Sequence, residues 1–270
     1  MSLRCFRPIE RDGLSARTLT QSGFSFAQGS PPDVPVIHYD LSRPRKKSKK
    51  GRCVYCGDEA VLTADHIPPK SLFPKSVWPN LLKIPSCGTC NGGASKDDEY
   101  LRTMIGLSAK GDCDDILKPI ADATARALAR PQAARFRNTI LENVHETFVP
   151  NSSGILVPAL IGTVDLGRFD RVTARIIKGI FYAQRGKPLP SEYHVVSYST
   201  EGLRKLPMSV GQQLRAIIVA LLEREPKYIG GPQFVYWSDY NTEDQNQSTW
   251  LLVIHRYHFF IGWTVKSLAL

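Results

Sequence analysis

Cys53-Val54-Tyr55-Cys56 opens and Cys87-Gly88-Thr89-Cys90-Asn91 closes a segment whose middle reads Asp65-His66-Ile67-Pro68-Pro69. The two Cys-x-x-Cys pairs stand 30 residues apart. Two residues between thiolates let both sulfurs point inward from one tight turn, and two such turns complete a tetrahedral shell for zinc. Disulfide bonding and redox chemistry are the competing uses of the pattern. A chain of 270 residues needs no staples, and its N-terminus, broken by Arg4, Arg7, Glu10, Arg11 and Asp12, carries no apolar export core. A structural zinc held by Cys53, Cys56, Cys87 and Cys90 is therefore the expectation. Cys5 and Cys113 have no partner at ligand spacing.

Working outward, strands are expected at Ala60 to Thr63 and Leu81 to Ile84. The loop between them contains Pro68, Pro69, Pro74 and Pro79 and excludes a regular helix. After Gly92-Gly93, Ser95 with Asp98 three positions on suits a helix start, and Tyr100, Leu101, Met104 and Ile105 share one face. This predicts a helix over 96–108, with Ser95 as its cap. A clamp joining 53–56 to 87–90 draws Asp65, His66 and Asn91 into one neighbourhood. A carboxylate and a carboxamide are hard oxygen ligands suited to Mg2+ or Mn2+. A neutral imidazole can take the proton of an attacking water near neutral pH. Neighbours on a strand point to opposite sides, so Asp65 can face a metal while His66 faces water. Phosphodiester hydrolysis is the chemistry that uses this set.

Cys53-x-x-Cys56, Asp65-His66-Ile67-x-Pro69, Asn80-Leu81 and Cys87-x-x-Cys90-Asn91 closely resemble the HNH endonucleases, whose site is a ββα-metal finger. The resemblance covers about residues 52–107. It implies His66 as general base, Asp65 and Asn91 as ligands of a catalytic Mg2+ or Mn2+, and Asn80 as the residue orienting the imidazole. It also implies structural zinc on the four cysteines, and DNA cleavage leaving 5′-phosphate ends. Two positions depart from the family pattern. Asn91 replaces a histidine, which resembles a known variant and implies a single oxygen-liganded ion. The loop from His66 to Asn80 is proline-rich where the family has Gly-Gly, which weakens the assignment of Asn80. Lys96 lies near, though shifted from, a family lysine and is a candidate phosphate contact. The competing class is a zinc-stabilised nucleic-acid-binding or adaptor module without catalysis.

Composition sets the wider frame. With 42% hydrophobic and 22% charged residues the chain can bury a core. Its apolar runs, such as Ile217 to Leu222, fall far short of the roughly 20 residues of a membrane helix. A cytoplasmic protein without membrane contact is expected. The formal charge is +10, and seven cations crowd between Arg43 and Arg52. Such a run would concentrate near a polyanion such as nucleic acid or an anionic membrane surface, or is a solvated linker.

The fold class expected is α+β, in four parts. Residues 1–50 form a poorly ordered basic arm, 51–108 the zinc module, 109–150 a helical connector, and 151–270 an α+β companion domain with antiparallel strands and unknown role. Helices are expected over 114–129 and 131–143. Phe169, Val172, Ile176, Ile180 and Ala183 mark an amphipathic helix, and its other face carries Arg171, Arg175 and Lys178. That face is a candidate for phosphate contact or is simply solvated. Ser209 with Gln212 reads as a capping box. Phe234 to Trp237 and Trp250 to Val265 read as strands, including a hairpin. His255 and His258, on opposite faces of a strand, suit packing or hydrogen bonding better than metal binding.

Overall fold

The computed structural model describes residues 6–7, 50–73, 81–108, 117–150, 153–203 and 207–267. Asn80, Cys5, Cys113 and the basic run ahead of Lys50 lie outside them. In chain order the elements are β1 (Phe6–Arg7), β2 (Lys50–Arg52), β3 (Glu59–Ile67), β4 (Leu82–Cys87), α1 (Gly88–Gly93) and α2 (Ser95–Leu107). There follow α3 (Lys118–Leu128), α4 (Ala134–Leu141), β5 (Val144–Pro150), β6 (Leu156–Gly162) and the long α5 (Leu166–Arg185). The last are β7 (Tyr193–Ser199), α6 (Thr200–Leu203), α7 (Met208–Leu222), β8 (Lys227–Tyr228), β9 (Phe234–Tyr240), β10 (Ser248–Ile254) and β11 (His258–Lys266). The architecture is mixed α+β. Its three sheets run in the orders β1-β6-β5, β2-β3-β4 and β7-β11-β10-β9-β8, antiparallel throughout except for the parallel pairing of β1 with β6.

Helix α5 organises the molecule. The Asp165 carboxylate accepts from the Arg168 amide at its start. Gly186, at φ 69°, ends it in the left-handed conformation that glycine adopts without cost. Between these caps, Val172, Ile176, Ile177, Ile180 and Phe181 are fully buried, each worth about 1.5–3 kcal/mol relative to exposure. Two glycines let α5 sit against both neighbours. A Cβ on Gly179 would lie 2.6 Å from Cγ1 of Ile67, at the end of β3. A Cβ on Gly262, in β11, would collide with Ile177 of the helix. One buried cluster consequently runs from Val54, Ile67 and Leu72 through Leu101 and Ile105 to Ile176, Trp250 and Phe260, so the cysteine-bearing segment and the C-terminal sheet share a core.

The five-stranded sheet is covered on both faces. Phe234 and Tyr236 face the main cluster, and Val235 and Trp237 face α7 with Leu221, Leu251 and Val253. This is the alternation a pleated strand imposes. Its β10–β11 turn reaches back to the module. The fully buried His255 bonds through Nε2 to the Leu72 carbonyl at 2.6 Å. His258 Nε2 meets Ser108 Oγ at 3.1 Å. Among the described residues no helix is long and apolar enough to cross a membrane.

Some local readings of the sequence are corrected. Ser95 does not cap α2: its hydroxyl donates back to the Gly92 carbonyl at 2.8 Å, because only Ala94 separates α1 from α2 and no free helix end exists to cap. Ser209 is no cap either, since α7 already begins at Met208 behind Pro207. The stretch read as helical to 150 ends in strand β5, which pairs with β6 from Val144↔Gly162 to Pro150↔Leu156.

Candidate metal centre and active site

The four thiols are gathered by two turns of different construction. In the first, the Gly57 amide donates to the Cys53 carbonyl at 2.9 Å, and Gly57 takes φ 79° to close the turn. In the second, β4 ends at Cys87, whose sulfur accepts the Cys90 amide at 3.3 Å as α1 begins. The Val54 amide bonds to the Pro85 carbonyl at 3.1 Å, and the Cys87 amide donates to Cys53 Sγ at 3.3 Å, so the turns are locked together. All four sulfurs lie within 4.8 Å of one another, with Cys56 and Cys87 at 3.9 Å. A regular tetrahedron with Zn–S bonds of about 2.3 Å has an edge of about 3.8 Å. The cluster can hold a metal such as zinc. Burial resists ionisation of Cys53, but the amides of Cys56, Cys87 and Tyr55 outweigh it and bring that thiol to about 7. Burial and the adjacent thiols push Cys90 up. Were all four ionised at this spacing, a cation between them would offset their repulsion.

Strand β3 leads from this cluster to the Asp65-His66 pair. Pairing with β4 from Leu62↔Cys87 to Ile67↔Leu82 sets His66 across from Lys83. His66 is half-buried, and its pKa is lowered by burial and by Lys70 and Lys83, with Asp65 acting in opposition. The imidazole is therefore neutral at physiological pH.

Asp65, on the opposite face, is buried. Its Oδ2 accepts from Tyr55 Oη at 2.8 Å and faces Arg175 Nη1 at 3.6 Å. Its Oδ1 takes no hydrogen bond among the described residues. Thr63 shares that face. Its hydroxyl accepts from Asn91 Nδ2 at 3.0 Å and donates to the Ser86 carbonyl at 3.0 Å. Asn91 on α1 is thereby held against β3, with its carboxamide oxygen uncommitted among the described residues.

The cationic stripe of α5 makes ion pairs within the protein, although Arg171 stays 61% exposed. Arg175 is 8% exposed, and its guanidinium lies between Asp65 and Asp98, donating to Asp98 Oδ1 through Nη2. Arg171 makes a forked pair with Asp97, from Nε at 2.7 Å and Nη2 at 3.1 Å. Arg168 lies over the Tyr100 ring at 4.8 Å. These contacts sew α5 to the first turn of α2, so Arg171 and Arg175 are engaged within the protein. Lys178 is half-buried and Lys96 is exposed in the first turn of α2. Burial raises the pKa of Asp98 despite Arg175, and burial with the Asp65 charge raises that of Tyr55.

Sequence reasoning missed Tyr55 and Asp98 as members of the site. The acidic pair Asp97-Asp98 was visible only as a favourable helix start, and nothing in local spacing announces a partner 77 residues further on. Comparison of the chain with known family models, curated proteins and solved structures finds no match.

Proposed function

We propose that the chain is a divalent-metal-dependent endonuclease of the HNH type, hydrolysing DNA phosphodiester bonds at His66. One observation carries the reading. An antiparallel hairpin whose first strand ends in Asp65-His66 is followed directly by a helix bearing Asn91, and Asn91 is bonded back to Thr63 of that first strand. Among the described residues two uncommitted hard oxygens, Asp65 Oδ1 and Asn91 Oδ1, come from adjacent elements on one side of the hairpin, and the imidazole leaves the neighbouring position near the end of the strand.

In this reading the half-buried, neutral His66 accepts the proton of the attacking water at its unprotonated ring nitrogen. Asp65 and Asn91 would hold Mg2+ or Mn2+, which when bound supplies charge stabilisation at the scissile phosphate and the departing 3′-oxygen. Tyr55 and Arg175 fix the Asp65 carboxylate from its Oδ2 side, leaving Oδ1 for the ion. Cys53, Cys56, Cys87 and Cys90 would hold a zinc ion that sets the start of β3 and the end of β4. Asn80 orients the imidazole, Lys96 contacts phosphate, and the cations of 43–52 raise the local concentration of nucleic acid.

Purified protein should nick or cut plasmid DNA with Mg2+ or Mn2+ and lose that activity with chelator. His66→Ala should abolish cutting while leaving the fold and bound zinc intact. Equal cutting by that variant overturns the proposal. A second reading, a zinc-stabilised nucleic-acid-binding or adaptor module, is favoured by the Arg175 guanidinium beside Asp65, which already neutralises the carboxylate. It predicts DNA binding without divalent-ion dependence and no cleavage under any metal.

A further inference from the structure

Helix α7 is more apolar than its position requires. Leu214 and Leu221 are buried, and Ile217, Ile218 and Leu222 pack on the outer face of the five-stranded sheet. The opposite side of a helix lying on a sheet ordinarily carries charge. Here that side presents Met208, 65% exposed, and Val219, 47% exposed, with Ala216 and Ala220 also exposed. Gln212, Arg215, Ala216, Val219, Ala220 and Glu223 line a shallow open concavity of about 490 Å³. Among the described residues no ion pair engages Arg215 or Glu223.

The order of charges on this side selects an occupant. Arg215, Val219 and Glu223 succeed one another at intervals of four residues, along one ridge of the helix. Opposite charges thus sit equal distances, about 6 Å of axial rise, on either side of Val219. An antiparallel copy of the same helix, related by a two-fold axis through Val219, sets Arg215 against Glu223 of the second copy and Glu223 against its Arg215. Val219 then meets its own counterpart, and Ala216 and Ala220 permit close approach of the two backbones. A parallel copy would oppose like charges. An interface in which the same patch serves both partners is the isologous arrangement of two-fold dimers.

We propose that the outward side of α7 is a homodimerisation surface, occupied by α7 of a second copy of this chain in antiparallel register about Val219. The proposal does not depend on the nuclease reading. One four-turn helix per copy buries less than the roughly 1,200 Å² of a standard interface, so the dimer is weak, with a Kd on the order of 10–100 µM.

Sedimentation equilibrium of the full chain between about 5 and 500 µM tests it. The expected result is a concentration-dependent rise in mass from 30.1 kDa toward twice that value. Val219→Glu, at an exposed position, should remain monomeric with unchanged circular dichroism and melting temperature. Arg215→Glu and Glu223→Arg should each self-associate about tenfold more weakly or worse, and an equimolar mixture of the two should recover association. A wild-type protein that is monomeric throughout overturns the proposal. So does a Val219→Glu dimer as tight as wild type, or a mixture of the charge variants that fails to associate.

Discussion

Replacing Arg175 with methionine probes the connection between α5 and the candidate site most directly. The guanidinium is 8% exposed, lies 3.6 Å from Asp65 and bonds directly to Asp98. At an effective dielectric of about 20 the attraction to Asp65 alone is about 5 kcal/mol, most of it offset by removing the charges from water. Taking away the cation leaves that desolvation cost with nothing to balance it, so Arg175→Met should lose about 3–5 kcal/mol at pH 7. The loss depends on pH in a determined direction. Burial already holds the Asp98 pKa above its ordinary value despite Arg175, and removing that cation raises it further. The variant then binds more protons folded than unfolded as pH falls from 7 toward about 4–5, and its deficit shrinks. Adding Asp98→Asn to Arg175→Met should restore part of the loss, because one of the two orphaned charges is gone. Urea unfolding followed by tryptophan fluorescence at pH 7.5 and 5.5 measures each quantity. A deficit under about 1 kcal/mol at pH 7.5, or one that grows on acidification, would refute the assignment of a buried Asp65–Arg175–Asp98 cluster.

Other expectations concern the four-cysteine cluster, a part-buried histidine and a close helix approach. Cys87→Ala, or a strong zinc chelator, should unfold the 53–93 region as judged by circular dichroism and proteolysis, since ligand binding and folding are coupled in such clusters; a variant that keeps both its metal content and its protease resistance contradicts the four-sulfur site. Burial and His255 bring the His258 pKa down to about 4 from 6.5. Because the unfolded chain takes up that proton first, wild-type stability should fall by up to about 3 kcal/mol as pH drops from 6.5 to 4. His258→Gln should remove that slope, and an unchanged slope in thermal melts would exclude His258 as its source. Gly179→Ala forces a methyl against Ile67 at the end of β3 and should cost about 1–3 kcal/mol in a melt; on the proposed nuclease reading, DNA cleavage should fall with it because His66 precedes Ile67.

Where short-range chemistry decided the outcome, the sequence was a sufficient guide. The cysteine spacing announced a four-sulfur cluster, the proline-bounded loop separated two strands, and the apolar period from Phe169 to Ala183 defined α5. The aromatic and β-branched runs near the end of the chain became β9, β10 and β11. Arg175 shows why the remainder was hidden. It borders the apolar stripe at Val172 and Ile176, and only the fold tells whether such a residue snorkels to water or turns inward to two distant acids. Strands β5 and β6 escaped notice because little of β5 is buried: His145, Glu146 and Phe148 are all exposed, so no alternation of apolar and polar residues marks it.

The bond between His255 and the Leu72 carbonyl joins residues 183 positions apart. During synthesis, the loop that follows His66 acquires this tether only after the final hairpin has left the ribosome. A chain ending before residue 255 lacks this tether on Leu72, although Asp65 and His66 keep their pairing with β4. Truncation in the last strands should therefore loosen the segment around Leu72 with no change to the Asp65-His66 pair itself.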